Sequence, residues 1–252
     1  MSEHATHQRI PRSVATGSFL EQDSRKTAMW AFIGSETLFF GSLLAAYLVY
    51  KPRNLALGGP HPHEVLDINF TAVLAAILLA SSVTMVLSIA GIRANSQKRF
   101  LGWLLATALL GLCFIGGQVI EFATLFNETF QTVTITHPDG TIEKRGVLSH
   151  ELEHDGLHAI EAAAPAGSQI EVDETKRPIT LDTSLFGTTF FVLTGFHGTH
   201  VAIGVIWLLS VFVRGLRGGF SPINYVGVEI AGLYWHFVDL VWVVLFTVIY
   251  LI

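Results

Sequence analysis

A single cysteine, Cys113, sits inside an apolar run, so no disulfide framework can brace this chain. Charge is scarce as well. Only 14% of the 252 residues are charged, against about a quarter in soluble domains. Mean hydropathy is +0.52, and these values together exclude an ordinary soluble domain in favour of an integral membrane protein. The net charge of −5 says little by itself, because its distribution is uneven, and no nucleic-acid partner is expected. No secretory signal is visible, because residues 1–26 are polar and no small-residue cleavage site follows the first apolar segment.

What is present is a series of apolar runs, each near the roughly 20 residues that cross a bilayer. Five spans are expected, over about 27–50, 69–92, 100–126, 184–213 and 225–252. The fold class is therefore an all-α membrane protein. A polar tail (1–26) precedes spans 1–3 (27–126), and spans 4–5 occupy 183–252. Between them, residues 127–182 break the pattern. Thr132-Val133-Thr134-Ile135-Thr136 alternates as a strand does, and Pro138-Asp139-Gly140 is a turn signal. A hairpin to about Leu148 is expected, then a short helix over 149–164 and a short strand over 170–172. This small α/β insert holds 11 acidic and 4 basic residues, a net of −7, so it belongs in water. Basic residues near the span ends set orientation. The tail, second loop and fourth loop together hold 9, and the first loop on the other side holds 2. The N-terminus is therefore expected to be cytoplasmic, with the insert and the C-terminus extracytoplasmic.

Polar groups inside the spans are the candidate site. An Asp at a membrane-helix centre costs about 2.5–3.5 kcal/mol on insertion scales, and a buried partner normally offsets that cost. Asp239 is thus expected to face protein. His236 and Glu229 lie on the same side of the fifth span, flanked by Trp235 and Trp242. His197 and His200 stand near mid-depth in the fourth span. Gly195, Gly198 and Gly204 are expected to let a neighbouring helix approach. Glu36 is embedded in the first span, and Gln118 and Glu121 lie near the far end of the third. Helical His197 and His200, facing His236 and Asp239, are compatible with a bundle metal site. The alternative is a hydrogen-bond network joining the fourth and fifth spans, and no metal is assigned. Glu36 has two readings of its own: a satisfied core carboxylate, or one kept partly protonated by its apolar setting. In the insert, His150, His154 and His158 recur every four residues and are kept only as weak metal candidates, because Gly156 weakens the helix they need.

These residues carry a family resemblance. Phe186-Gly187-Thr188-Thr189-Phe190-Phe191 leads to Gly195-Phe196-His197-Gly198-Thr199-His200-Val201, and then to Glu229 and Trp235-His236-Phe237-Val238-Asp239. That order resembles subunit III of cytochrome c oxidase, the accessory membrane subunit of haem–copper oxidases. Gly34-Ser35-Glu36 with Phe39-Phe40 is similar to the family's first shared helix and its carbodiimide-reactive buried carboxylate. Glu121 matches the acidic residue near the end of the third shared helix. The resemblance implies a subunit of a bacterial inner-membrane oxidase in the respiratory chain, which reduces O₂ to water and moves protons. It implies no redox centre and no active site in this chain; haem and copper would lie in the partner subunits I and II. It implies stabilisation of subunit I, support of proton uptake, and slower inactivation during turnover. Some members carry two further N-terminal helices that complete a lipid-holding cleft. A bound phospholipid is therefore expected here only where another subunit, a fourth, supplies them. The insert at 127–182 is longer than the family's usual short connection, and for it the resemblance predicts nothing; its acidic charge makes cytochrome c, or a cytochrome c domain, the expected partner there, within the wider setting of a respiratory supercomplex. A ubiquinol oxidase subunit III is the alternative, and a stand-alone proton or ion transporter subunit is a further one.

Overall fold

The computed structural model describes residues 24–251; the tail expected over 1–26 lies outside the described residues as far as residue 23. Among the described residues five helices are long and apolar enough to cross a membrane: α1 (Ser24–Ala56), α3 (Ile68–Arg93), α4 (Gln97–Asn127), α7 (Leu185–Leu216) and α8 (Val226–Phe246), the last continued by a π-helical segment, Thr247–Leu251. A single turn, α2 (Pro62–Val65), lies between α1 and α3. The 33 residues of α1 make about 50 Å of helix, more than a ~30 Å hydrocarbon core needs, so this helix extends beyond the core or tilts.

Local chemistry sets the ends. The Asp67 carboxylate caps α3, accepting from the Asn69 and Phe70 amides at 3.0 and 3.1 Å. Ser184 Oγ caps α7 by accepting from the Gly187 amide at 2.9 Å. Between α3 and α4 the chain reverses over three residues, through Asn95 at φ 53, a left-handed conformation that Asn tolerates.

In the bundle, α3 packs against α4 and α8, α4 against α7, and α1 against α7 and α8. α8 also packs against α7, which makes it the most buried span; α1 is the least buried. At the centre, Phe114, His197 and Trp242 form an aromatic triad with ring centroids 4.8 to 5.8 Å apart. Gly111 lets α8 press in: a Cβ there would lie 2.5 Å from the Trp235 ring. Gly198 and Gly204 play the expected part against Gln118 and Trp235, whereas Gly195 faces open space.

The insert holds the expected hairpin, β1 (Thr129–Thr136) and β2 (Ile142–Leu148), with β3 (Gln169–Val172) antiparallel on the other edge of β1. A two-residue strand, β4 (Arg177–Pro178), also pairs with β1 and was not anticipated. The expected helix over 149–164 is broken into α5 (Ser149–Glu151), a π turn (Leu152–Gly156) and α6 (Leu157–Ala163). Val133, Ile135, Val147 and Ile160 form a small core of its own. The other side of the sheet is fused to the membrane bundle. Phe130, Leu148 and Ile179 belong to the main core. Gly146 bridges to Pro60 in the first loop, and the Thr132 hydroxyl donates to the Gly58 carbonyl at 3.2 Å. A Cβ at residue 146 would meet the Gly59–Pro60 backbone at 2.6 to 2.8 Å, so glycine alone permits this approach.

Candidate functional site

The polar side chains inside the spans tie helices together at several depths. At one edge, Glu229 at the start of α8 accepts from Arg93 of α3 at 2.8 Å and pairs with Lys26 of α1. Three helix ends are thereby pinned by one carboxylate. Arg93 also lies over the Tyr225 ring, 5.5 Å from its centroid.

Deeper in, His200 of α7 meets Glu36 of α1, with Nε2 3.1 Å from Oε2. The other ring nitrogen, Nδ1, lies 2.7 Å from the Phe196 carbonyl. A carbonyl only accepts, so Nδ1 carries a hydrogen. Nε2 faces the Glu36 carboxyl group, an ion pair when the imidazole is protonated. The Tyr234 hydroxyl donates to the His200 carbonyl at 2.9 Å, which fixes the same turn of α7 to α8.

The remaining predicted residues do not gather into one centre. His197 is fully buried, and its Nε2 lies 3.1 Å from the Val238 carbonyl, so Nε2 donates there. His236 turns away from His197, towards α3, where its Nδ1 sits 2.5 Å from Ser82 Oγ. Asp239 faces protein, 5% exposed, and its Oδ1 has no partner among the described residues. The hydrogen-bond network expected between the fourth and fifth spans is thus three separate ties: α7 to α8, α7 to α1, and α8 to α3. Glu36, His200, Glu229 and His236 are part-buried in the isolated chain; His197, Glu121 and Asp239 are buried.

At the opposite edge, Glu121 of α4 accepts two hydroxyls on one oxygen, Oε1: Thr71 of α3 at 2.7 Å and Tyr250 at 2.9 Å. Tyr250 lies in the π segment that follows α8 and is buried there. Gln118, one turn before Glu121, donates to the Thr194 carbonyl of α7 at 2.8 Å. Trp235 donates its indole N–H to Ser81 at 2.9 Å. Thr71 and Tyr250 carry no signal in the sequence, since isolated hydroxyls in apolar helices show no pattern that marks them.

In the insert, His150 and His158 face different carboxylates, Glu128 and Glu161, each at 3.4 Å. The His154 side chain lies outside the described residues. The π turn between them shifts the spacing that would have aligned three imidazoles. Among the described residues no three His, Cys, Asp or Glu side chains converge as metal ligands. Two loop carboxylates are held below the ordinary Asp range by hydrogen bonds. The Thr141 hydroxyl and amide act on Asp139, and those of Thr175 act on Asp173.

The sequence model of the family cytochrome c oxidase subunit III matches residues 163–252. Over 249 residues the chain is 30% identical to cytochrome c oxidase subunit 3 of Bacillus sp. (strain PS3), covering 99% of this chain and 96% of that protein. It is 29% identical to quinol oxidase subunit 3 of Bacillus subtilis (strain 168), over 99% of this chain and 97% of that one. It is also 30% identical to cytochrome c oxidase subunit 3 of Synechocystis, over 94% of this chain and 80% of the relative. Five membrane-length helices in the expected order, with the insert between the third and fourth, accompany near full-length similarity to subunits of both oxidase types. The chain belongs to the cytochrome c oxidase subunit III family and is a subunit III of a haem–copper oxidase complex.

Proposed function

We propose that this chain is the non-redox accessory subunit of a bacterial oxidase that takes electrons from cytochrome c, has no active site of its own, and stabilises subunit I while supporting proton uptake. The observation that carries the structural part is how the span imidazoles are used. His197, His200 and His236 each have a ring nitrogen committed to a protein partner on another helix. Groups used in this way knit a scaffold. Haem and copper belong, in this reading, to subunits I and II, and a fourth subunit supplies any extra helices.

The Glu36–His200 pair is the candidate for a proton role, because a carboxyl group and an imidazole meet at 3.1 Å inside an apolar span. Its test is Glu36→Gln in the purified oxidase, followed by proton uptake and by the rate of inactivation during turnover. Slower uptake with faster inactivation supports the role. Unchanged uptake leaves Glu36 as a structural carboxylate.

The insert carries the cytochrome reading. Its net charge of −7 suits a basic electron carrier. We place it outside an inner membrane, with the N-terminus in the cytoplasm, on the distribution of basic residues in the loops. Turnover with cytochrome c that depends steeply on salt, and loses that dependence when 130–180 are deleted, is the expected signature. The similarity of the quinol oxidase relative keeps quinol as the second reading. Difference spectra of the complex showing no c-type haem and no dicopper centre would establish it.

A further inference from the structure

His236 differs from the other imidazoles of the spans. His197 is fully enclosed, and both ring nitrogens of His200 face a partner within the chain. His236 is part-buried and meets Ser82 through Nδ1 alone, at 2.5 Å. Among the described residues its Nε2 has no hydrogen-bond partner. That nitrogen is not one of the enclosed unpartnered atoms, so it is open at the surface of the isolated chain. The residue stands ten positions after Val226, about 15 Å along α8, or half of a ~30 Å hydrocarbon core. In either tautomer Nε2 is a donor or an acceptor, and an acyl chain satisfies neither.

The surroundings form a trough. α1 and α3 each pack on α8 but make no more than marginal contact with each other, so one side of α8 is left open between them. Lys26 of α1 and Arg93 of α3 close one end by pairing with Glu229. His236, Leu240 and Val244 follow one another every four residues along that open side. Leu240 and Val244, with Ile33, Thr37 and Gly41 of α1, line a cavity of about 270 Å³. A Cβ at residue 41 would meet nothing within 4 Å, so the α1 wall leaves room there. On the α3 wall Leu79 and Val86, three before and four after Ser82, are exposed. Apolar walls around one unsatisfied nitrogen match a membrane helix that carries a polar side chain. Such a side chain bonds across the interface while its apolar neighbours fill the groove. A bilayer alone matches only the walls.

We infer that the open side of α8, between α1 and α3, seats a transmembrane helix of a companion subunit, whose polar side chain bonds His236 Nε2 at mid-depth. The inference rests on the accessory-subunit reading and not on the identity of the electron donor. The test uses the purified complex with a diazirine amino acid in place of Leu240, one turn from His236 and 63% exposed. Photolysis and peptide mass spectrometry are expected to join residue 240 to a membrane span of one companion subunit. In the same background His236→Leu is expected to cut that cross-link, and retention of the companion through a detergent wash, about tenfold, the loss that accompanies one hydrogen bond. His236→Gln, whose amide reaches the place of Nε2, is expected to restore most of both. Ser82→Ala removes only the bond inside the chain and is expected to leave both unchanged. Capture of lipid alone from residue 240 overturns the inference, and so does capture of a second copy of this chain. Equal losses in Ser82→Ala and His236→Leu overturn it too, because the imidazole then acts only inside the bundle. With companions present these results sink the seat alone; a chain that purifies with no companion sinks the accessory-subunit reading as well.

Discussion

Glu36 and His200, 164 residues apart in sequence, meet at 3.1 Å between the first and fourth membrane spans. Their relationship makes the pair one unit in stability measurements. Glu36→Leu leaves His200 Nε2 without its partner, and His200→Phe strands the carboxyl group. The double substitution removes both and is expected to be less destabilising than the sum of the single ones, with a coupling on the order of 1 kcal/mol. Thermal unfolding of the purified complex for the three variants measures this coupling. Strict additivity would mean that the two groups do not interact.

Ser81→Ala is a small change with a large expected effect. It removes the acceptor of the Trp235 indole N–H, which is 2.9 Å away in a residue only 1% exposed. A buried donor left without a partner costs about 1–3 kcal/mol. The exposed Ser35, whose hydroxyl bonds only its own helix, is the control, and Ser35→Ala should lie close to wild type. Denaturant titration followed by tryptophan fluorescence compares the two.

Small residues on α4 separate packing from propensity. Gly111→Val would drive methyl groups into Trp235 and Val205, and overpacking of this kind costs about 1–3 kcal/mol. Gly116 has nothing within 4 Å of where a Cβ would stand, so Gly116→Ala should be tolerated. The yield of assembled complex reports both. A harmless Gly111→Val would contradict the close approach of α4 and α8.

The hairpin turn of the insert should respond to acid. The folded-state pKa of Asp139 is lowered by Thr141, so its contribution is present above the ordinary Asp value and is lost as pH falls through the folded value. Faster amide exchange at Gly140 and Thr141 is therefore expected below about pH 4, the unperturbed Asp range. Asp139→Asn should flatten that dependence, and an unchanged profile would assign the opening to another group.

The spans were legible because twenty-odd apolar residues have few other uses, and the sheet was legible from the alternation of Thr132 to Thr136 beside a Pro-Asp-Gly turn. The identity of the buried polar residues was legible for the same reason: a carboxylate or imidazole in an apolar run stands out. Their partners were not. Which residue His236 meets depends on the rotation of α8 against α3, and Ser82 offers no signal distinguishing it from a hydroxyl bonded to its own helix. β4 leaves no signal in the sequence, because two residues cannot show a period. The break in the 149–164 helix was hinted at by Gly156, but the sequence does not distinguish a π turn from a loop.

The bridge between Gly146 and Pro60 bears on how the chain is made. Residues 58–60 leave the ribosome long before residues 132 and 146 exist. The backbone groups that connect the first two spans must wait in water for a piece synthesised some eighty residues later. Nascent chains halted upstream of Gly146 would carry that link still open, and it could close only once the strand bearing Gly146 has left the ribosome.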